Sequence, residues 1–198
     1  MPAEASALLR DRVLAASVKL IESEGLAALS LREVARRAGV SHQAPYHHFG
    51  DRESILAALV IHGFGALIGR LDLAIAAAKT LEDKVAAVGE TYVAFALDRP
   101  AHFQVMFRPE LVDMGRFPEA AAAGRKAFGK AAAVFAGLPG DPKVMSALLW
   151  STAHGLASLM LDKSLPNRSA TGAERRALAR DVMRTLAALT TAPKRRTR

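Results

Sequence analysis

Residues 30–52 read SLREVARRAGVSHQAPYHHFGDR, and this stretch decides the fold. Ser30 and Glu33 stand at the spacing of a capping box, which opens a short helix through LREVARRA. Gly39 supplies the positive φ that ends it, and Ser41 is placed to cap a second short helix, HQAPYHHF. Ala35 is small where the second helix has to pass close. Val34, Val40 and the ring of Tyr46 or Phe49 can close a small core beneath. Two short helices joined by a three-residue turn are helix-turn-helix geometry, whose second helix enters the DNA major groove N-terminus first. Pro45 falls around the fourth position of that second helix, where it gives up an early backbone bond, so a distorted first turn is expected.

Outward from this stretch the chain reads as helical throughout. Leu8, Leu9, Val13, Ala16, Leu20 and Ile21 share one face of a first helix, which Gly25 can stop as a left-handed cap. Asp51 caps a long fourth helix beginning RESILAALV. Thr80 and Asp83 open another that reaches about Leu97, and Pro100 starts a short one through Phe107. Pro118 begins AAAAGRKAFGKAAAVFA, which GLPG ends. Asp141-Pro142 gives an N-cap followed by proline at the first helical position. SLPNRSA is a linker, after which Thr171 and Glu174 repeat the capping-box spacing and start the last helix. No stretch alternates apolar and polar residues over strand length, so an all-α fold of about nine helices is expected.

Residues 30–52, with what flanks them, resemble the TetR family of bacterial transcriptional repressors. The resemblance is carried by the first helix, Gly25, the Leu29-Ser30-Leu31-Arg32 entry, Ala35, Gly39-Val40-Ser41, Tyr46 with His48-Phe49, and the basic residue opening the fourth helix. Arg52 occupies the position where the family usually has a lysine gripping the DNA backbone, and the family more often has an unhindered residue where Pro45 stands. Ser30, Ser41 and Tyr46 offer hydroxyls, and the helix N-termini offer N–H groups, to phosphate oxygens, with Arg32 and Arg36 or Arg37 adding charge at the flanks. Base edges are expected to be read by His42, Gln43 and His47, with Ala44 and Pro45 against thymine methyls.

The expected organisation is a DNA-binding domain over residues 1–52, a ligand-binding and dimerisation domain over 53–191, and a basic tail over 192–198. In the larger domain, HFQVMFRPEL and then Trp150-Ser-Thr-Ala-His154-Gly155 resemble the TetR subtype named for its Trp-His-Gly motif. Trp150 and His154 share a helix face. His154 either orients a ligand or is hydrogen-bonded in a core beside a packed tryptophan. Phe95, Phe103, Met106, Phe107 and Phe128, with Trp150 and His154, are the candidate ligand-lining residues. Val144–Leu161 carries no formal charge over 18 residues, yet its serines, Thr152 and His154 argue against a membrane span. Such a helix suits burial in its own subunit on one side and against a partner on the other. With the stripe Leu178, Val182, Leu186 and Leu189 it would form a four-helix homodimer interface.

The net charge of +8 is unevenly spread: residues 1–52 carry +1, residues 53–167 are neutral, and residues 168–198 carry +7. The case for DNA therefore rests on the spacing within 30–52 and only indirectly on the charge. The absence of cysteine excludes a thiol nucleophile and thiolate metal ligands. No G-x-S-x-G, Walker A or H-E-x-x-H motif is present. The pattern GFGALIG at 63–69 lies within a helix, and His42, His47 and His48 do not converge with a carboxylate, so neither a cofactor nor a metal is expected. Competing classes are a helical enzyme with a vestigial DNA module, or a protein binding DNA non-specifically through its basic end. The expected partners are double-stranded operator DNA, a second copy of the chain and a small-molecule inducer, with no membrane and a cytoplasmic location. The resemblance further implies that ligand binding shifts a population toward a DNA-incompetent state.

Overall fold

The computed structural model describes residues 2–136, 141–166 and 171–192. It contains nine α-helices and no strand among the described residues: α1 (Pro2–Glu24), α2 (Leu31–Ala38), α3 (Ala44–Phe49), α4 (Arg52–Ala77), α5 (Leu81–Asp98), α6 (Pro100–Met106), α7 (Pro118–Ala133), α8 (Pro142–Leu161) and α9 (Gly172–Thr191). A 3-10 turn, Leu26–Ala28, joins α1 to α2. The stretch GLPG at 137–140, most of the SLPNRSA stretch and the basic run after residue 192 lie outside the described residues.

The helix boundaries follow from local chemistry. The Ser30 side chain accepts from the Glu33 N–H, and Gly39 ends α2 in the left-handed region at φ 62°, where a side chain would be strained. Thr80 and Asp83 bond reciprocally before α5, and Thr171 and Glu174 form a full capping box before α9. Asp141 accepts from the Lys143 N–H with Pro142 in the first turn of α8. On α1, Val13, Ala16, Leu20 and Ile21 are buried as the periodicity requires. Leu8, expected on that face, is 62% exposed, and Leu14 and Ser17 join the buried set.

The chain divides into two compact units, Met1–Phe64 with Arg99–Gly124, and Gly65–Asp98 with Arg125–Arg198. The divisions fall inside α4, between α5 and α6, and inside α7. In the first unit, α1 packs on α2, and α6 lies against α1. The run Ile55–Val60 of α4 is buried here without interruption. In the second unit, α5 is the central helix, packed on α8 and α9. Gly89 of α5 is the point of closest approach: a Cβ there would lie 2.3 Å from Met183 Sδ and 3.1 Å from Leu149 Cδ1. Two helices, Arg52–Ala77 and Pro142–Leu161, are long and apolar enough to cross a membrane by length and composition. In the first, 56% of the apolar window is buried within the protein, and in the second only 22%.

Candidate nucleic-acid interface

The helix-turn-helix is α2 and α3, and α3 begins two residues later than the sequence reading placed it. Ser41 does not cap it through its side chain: its backbone carbonyl closes a turn onto the Ala44 N–H at 3.1 Å, and Gln43 becomes the N-cap residue. Pro45 thereby stands in the first turn, where an N–H has no helical partner to lose, so the distortion expected from a proline deeper in the helix does not arise.

The shift sorts the candidate DNA-contacting residues by face. Ala44, Pro45 and Phe49 are buried, and Val34 is wholly so. Phe49, not Tyr46, closes the small core, since Tyr46 is 50% exposed. His42, Gln43, Tyr46 and His47 point to solvent, as do Ser30, Arg32 and Ser41, whereas His48 is half-buried. Ala44 and Pro45, expected against thymine methyls, are buried in this structure. The Ser30 oxygen already accepts one bond, which leaves its O–H free to donate outward.

Most cations of this module hold its own fold. Arg52 donates to the carbonyls of Leu29 (2.9 Å) and Leu26 (3.0 Å), immediately before α2. Arg12, which the sequence reading did not single out, donates to the carbonyls of Ala38 (2.7 Å) and Gly39 (3.1 Å) at the α2 C-terminus. Arg10 lies over the Phe49 ring, 5.2 Å from its centroid. Arg36 grips Glu33 through two bonds of 2.8 and 2.5 Å, and Arg37 reaches Glu33, Glu24 and Ser23. The bonds from Arg36 and Arg37 hold the Glu33 carboxyl down at about 2.

The seven candidate ligand-lining residues divide between the units. Phe103, Met106 and Phe107 belong to the first, where Phe107 meets Phe103 at 5.3 Å and Phe64 at 5.7 Å, and Met106 fills the space beside Gly63. In the second unit Phe95 is wholly buried, with Arg70 5.7 Å from its ring centroid. Phe128, Trp150 and His154 form one cluster: Phe128 stands edge-on to Trp150 at 4.9 Å, and Trp150 is 5.7 Å from His154. The sequence reading missed the residue that ties this cluster together. The Tyr92 hydroxyl lies 2.8 Å from His154 Nδ1 and accepts from Trp150 Nε1 at 3.3 Å. Burial pushes the Tyr92 phenol up and the His154 imidazole down, so both groups of this pair favour their neutral forms. Two open grooves of about 370 and 390 Å³ also occur in this unit, one between α5 and α9 and one beside Asp72, Lys84 and Lys130. Neither is lined by any of the seven. Among the described residues, no group of three acidic or histidine side chains can hold a metal ion.

A buried helix-turn-helix core with a polar outer face on its second helix is the arrangement that major-groove readers use. The comparisons carry the assignment further. Residues 13–59 match the family model of bacterial regulatory proteins of the tetR family, and residues 85–191, more than half of the chain, match the tetracyclin repressor-like, C-terminal domain. The chain belongs to the TetR family of bacterial regulatory proteins. The HTH-type transcriptional regulator BetI of Rhizobium meliloti (strain 1021) is 32% identical over 103 residues, 52% of this chain and 46% of that protein. The HTH-type transcriptional regulator AlkX of Mycobacterium tuberculosis is 48% identical over 54 residues, 27% of this chain and 26% of its own. Both alignments span less than half the length of these curated relatives. A solved protein of unknown function from Rhodococcus sp. RHA1 is 28% identical with a TM-score of 0.76, and the match covers 93% of this chain and 96% of that one.

Proposed function

We propose that the chain is a homodimeric, ligand-responsive repressor that reads a pseudo-palindromic operator, one half-site per subunit. The observation that carries the DNA-reading part is the sorting of α3 and its preceding turn. Four polar side chains, His42, Gln43, Tyr46 and His47, are exposed on one side of a module whose other side is closed by Ala44, Pro45 and Phe49. Gln43 has the donor–acceptor pair that matches adenine, and His42 and His47 reach neighbouring base edges. Ser30, Ser41, Tyr46 and Arg32 supply the phosphate contacts. Arg52 then acts from behind, fixing the 3-10 turn that presents Ser30.

Dimerisation through α8 and α9 is supported by the apolar side chains these helices leave in water: Val144, Leu148, Trp150 and Leu159 on α8, and Leu178 and Leu189 on α9. A protein partner for this surface, in place of lipid, fits a cytoplasmic regulator and agrees with the stretch Val144–Leu161 of α8, which lacks formal charge but bears serine, threonine and histidine. The inducer reading is supported by the Tyr92–Trp150–His154–Phe128 cluster, which combines aromatic surface with oriented polar atoms. The subtype named for the Trp-His-Gly motif rests on Trp150, His154 and Gly155 alone. A duplex selected by the protein from a random-sequence pool provides the operator for a direct test. Gln43→Ala with Tyr46→Ala is expected to abolish preference for that duplex over random DNA. Retention of the preference refutes α3 as the reading helix.

A further inference from the structure

The segment between α6 and α7 grips the first turn of α4 through one arginine and two carboxylates. Arg116 donates from Nη1 to Glu53 Oε2 at 2.6 Å and from Nη2 to Asp51 Oδ2 at 2.5 Å. The Asp113 backbone N–H donates to Glu53 Oε1 at 2.7 Å. Ser54 donates to Asp51 Oδ1 through its N–H and its hydroxyl, both at 2.8 Å. All four carboxylate oxygens therefore have donors. The guanidinium also sits over the Phe117 ring, 4.8 Å from its centroid. The segment is itself folded, with the Gly115 N–H bonded to Asp113 Oδ1 at 2.8 Å and the Phe117 N–H to the Asp113 carbonyl at 3.0 Å.

The place of this grip gives it meaning. Asp51 follows Gly50, the residue that ends α3 with φ 78°. Arg52, between the two acids, turns the other way and holds the carbonyls that precede α2. In the tripeptide Asp51-Arg52-Glu53, the outer residues are thus held by the α6–α7 segment and the middle one by the entry to the helix-turn-helix. A displacement of residues 113–116 relative to the module has to pull on the start of α4, and both reading elements are attached there. One guanidinium fork bridging two carboxylates constrains direction as well as distance, which a single surface ion pair does not.

The geometry points to Arg116 as a positioning residue for DNA reading: bridged to Asp51 and Glu53, it holds the first turn of α4, and with it α3, in the orientation that engages the operator. The inference rests on α3 being the reading helix and on two half-sites being read together. Both Nη atoms are committed to carboxylates, so Arg116 acts through α4 and not by touching phosphate.

The test uses the full chain and the duplex it selects from a random pool, compared with random duplex. If the selected DNA contains no paired half-sites, the dimeric reading fails and the positioning inference falls with it. With paired half-sites, Arg116→Ala is expected to lose about tenfold in affinity for the selected duplex, keep its affinity for random duplex and unfold at the wild-type temperature. It should also lose less than the wild type when one base pair is inserted between the half-sites, because a freed head tolerates altered spacing. Arg116→Lys, which can keep one of the two bonds, should recover part of the loss. Unchanged affinity and spacing discrimination in Arg116→Ala overturn the inference. An equal loss on selected and random duplex also overturns it, because it makes Arg116 a phosphate contact. Should Arg116→Ala fail to fold, Glu53→Gln decides: several-fold weaker specific binding supports the inference, and wild-type binding refutes it.

Discussion

The helix-turn-helix module and the α8–α9 pair are both helical, yet they spend their side chains in opposite ways. In residues 1–52, five of the six arginines are engaged within the protein: Arg10 with Phe49, Arg12 and Arg52 with backbone carbonyls, Arg36 and Arg37 with Glu33. The module closes its own core and leaves hydroxyls, imidazoles, Gln43 and Arg32 facing out. The α8–α9 pair has the reverse character: caps are satisfied, while Leu148, Trp150, Leu178 and Leu189 remain in water. One region presents polar groups and the other apolar ones. Polar side chains keep their hydration when exposed, whereas exposed leucines on neighbouring helices are the surface that the proposed dimer would cover.

The largest effect expected from this contrast is on assembly. Leu178→Glu with Leu189→Glu should convert the chain to a monomer in sedimentation analysis and weaken operator binding about a hundredfold, since each half-site then binds alone. A variant that sediments as the wild type removes the distinction between the regions. The next effect is on stability in acid and concerns the first unit. His102 is 6% exposed, and burial, with Arg99 and His62 nearby, lowers its pKa to about 4. The unfolded chain takes up the proton near pH 6.5, before the folded one does. Stability is therefore complete above that pH and falls as the pH drops toward 4, by about 3 kcal/mol at most. Thermal unfolding between pH 7.5 and 4.5 should show this decline, and His102→Gln should flatten it. The smallest effect separates folding from reading: Ser30→Ala removes the α2 cap and should cost about 1 kcal/mol. A loss of operator affinity well beyond the accompanying loss of stability assigns the Ser30 hydroxyl a phosphate contact as well.

Much of this architecture was legible in the sequence because helix ends are set by residues within about four positions of one another. Ser30 with Glu33, Thr80 with Asp83, Asp141 and Thr171 with Glu174 all cap as their spacing requires. Ser41 misled for an instructive reason. Its type fits an N-cap, but Pro45 belongs in a first turn, and the helix begins where that condition is met. Exposure within α3 was not legible, since six residues are too few for an apolar periodicity to tell the buried Ala44 and Pro45 from the exposed Tyr46. Tyr92 carried no signal either, because its partners lie about 60 residues away.

The sequence by itself determined an all-helical chain with a helix-turn-helix near its start, since capping, glycine punctuation and helical periodicity are local properties of the chain. It also determined that the basic excess lies mainly beyond residue 168, away from the reading stretch. Only the tertiary structure decided where each charge of the module is spent. Arg52 meets Leu26 and Leu29, Arg12 meets Ala38, and Arg116 meets Asp51, across separations of 23 to 65 residues. Such partners are chosen by the packing of helices against one another, which brings together groups that no local spacing relates.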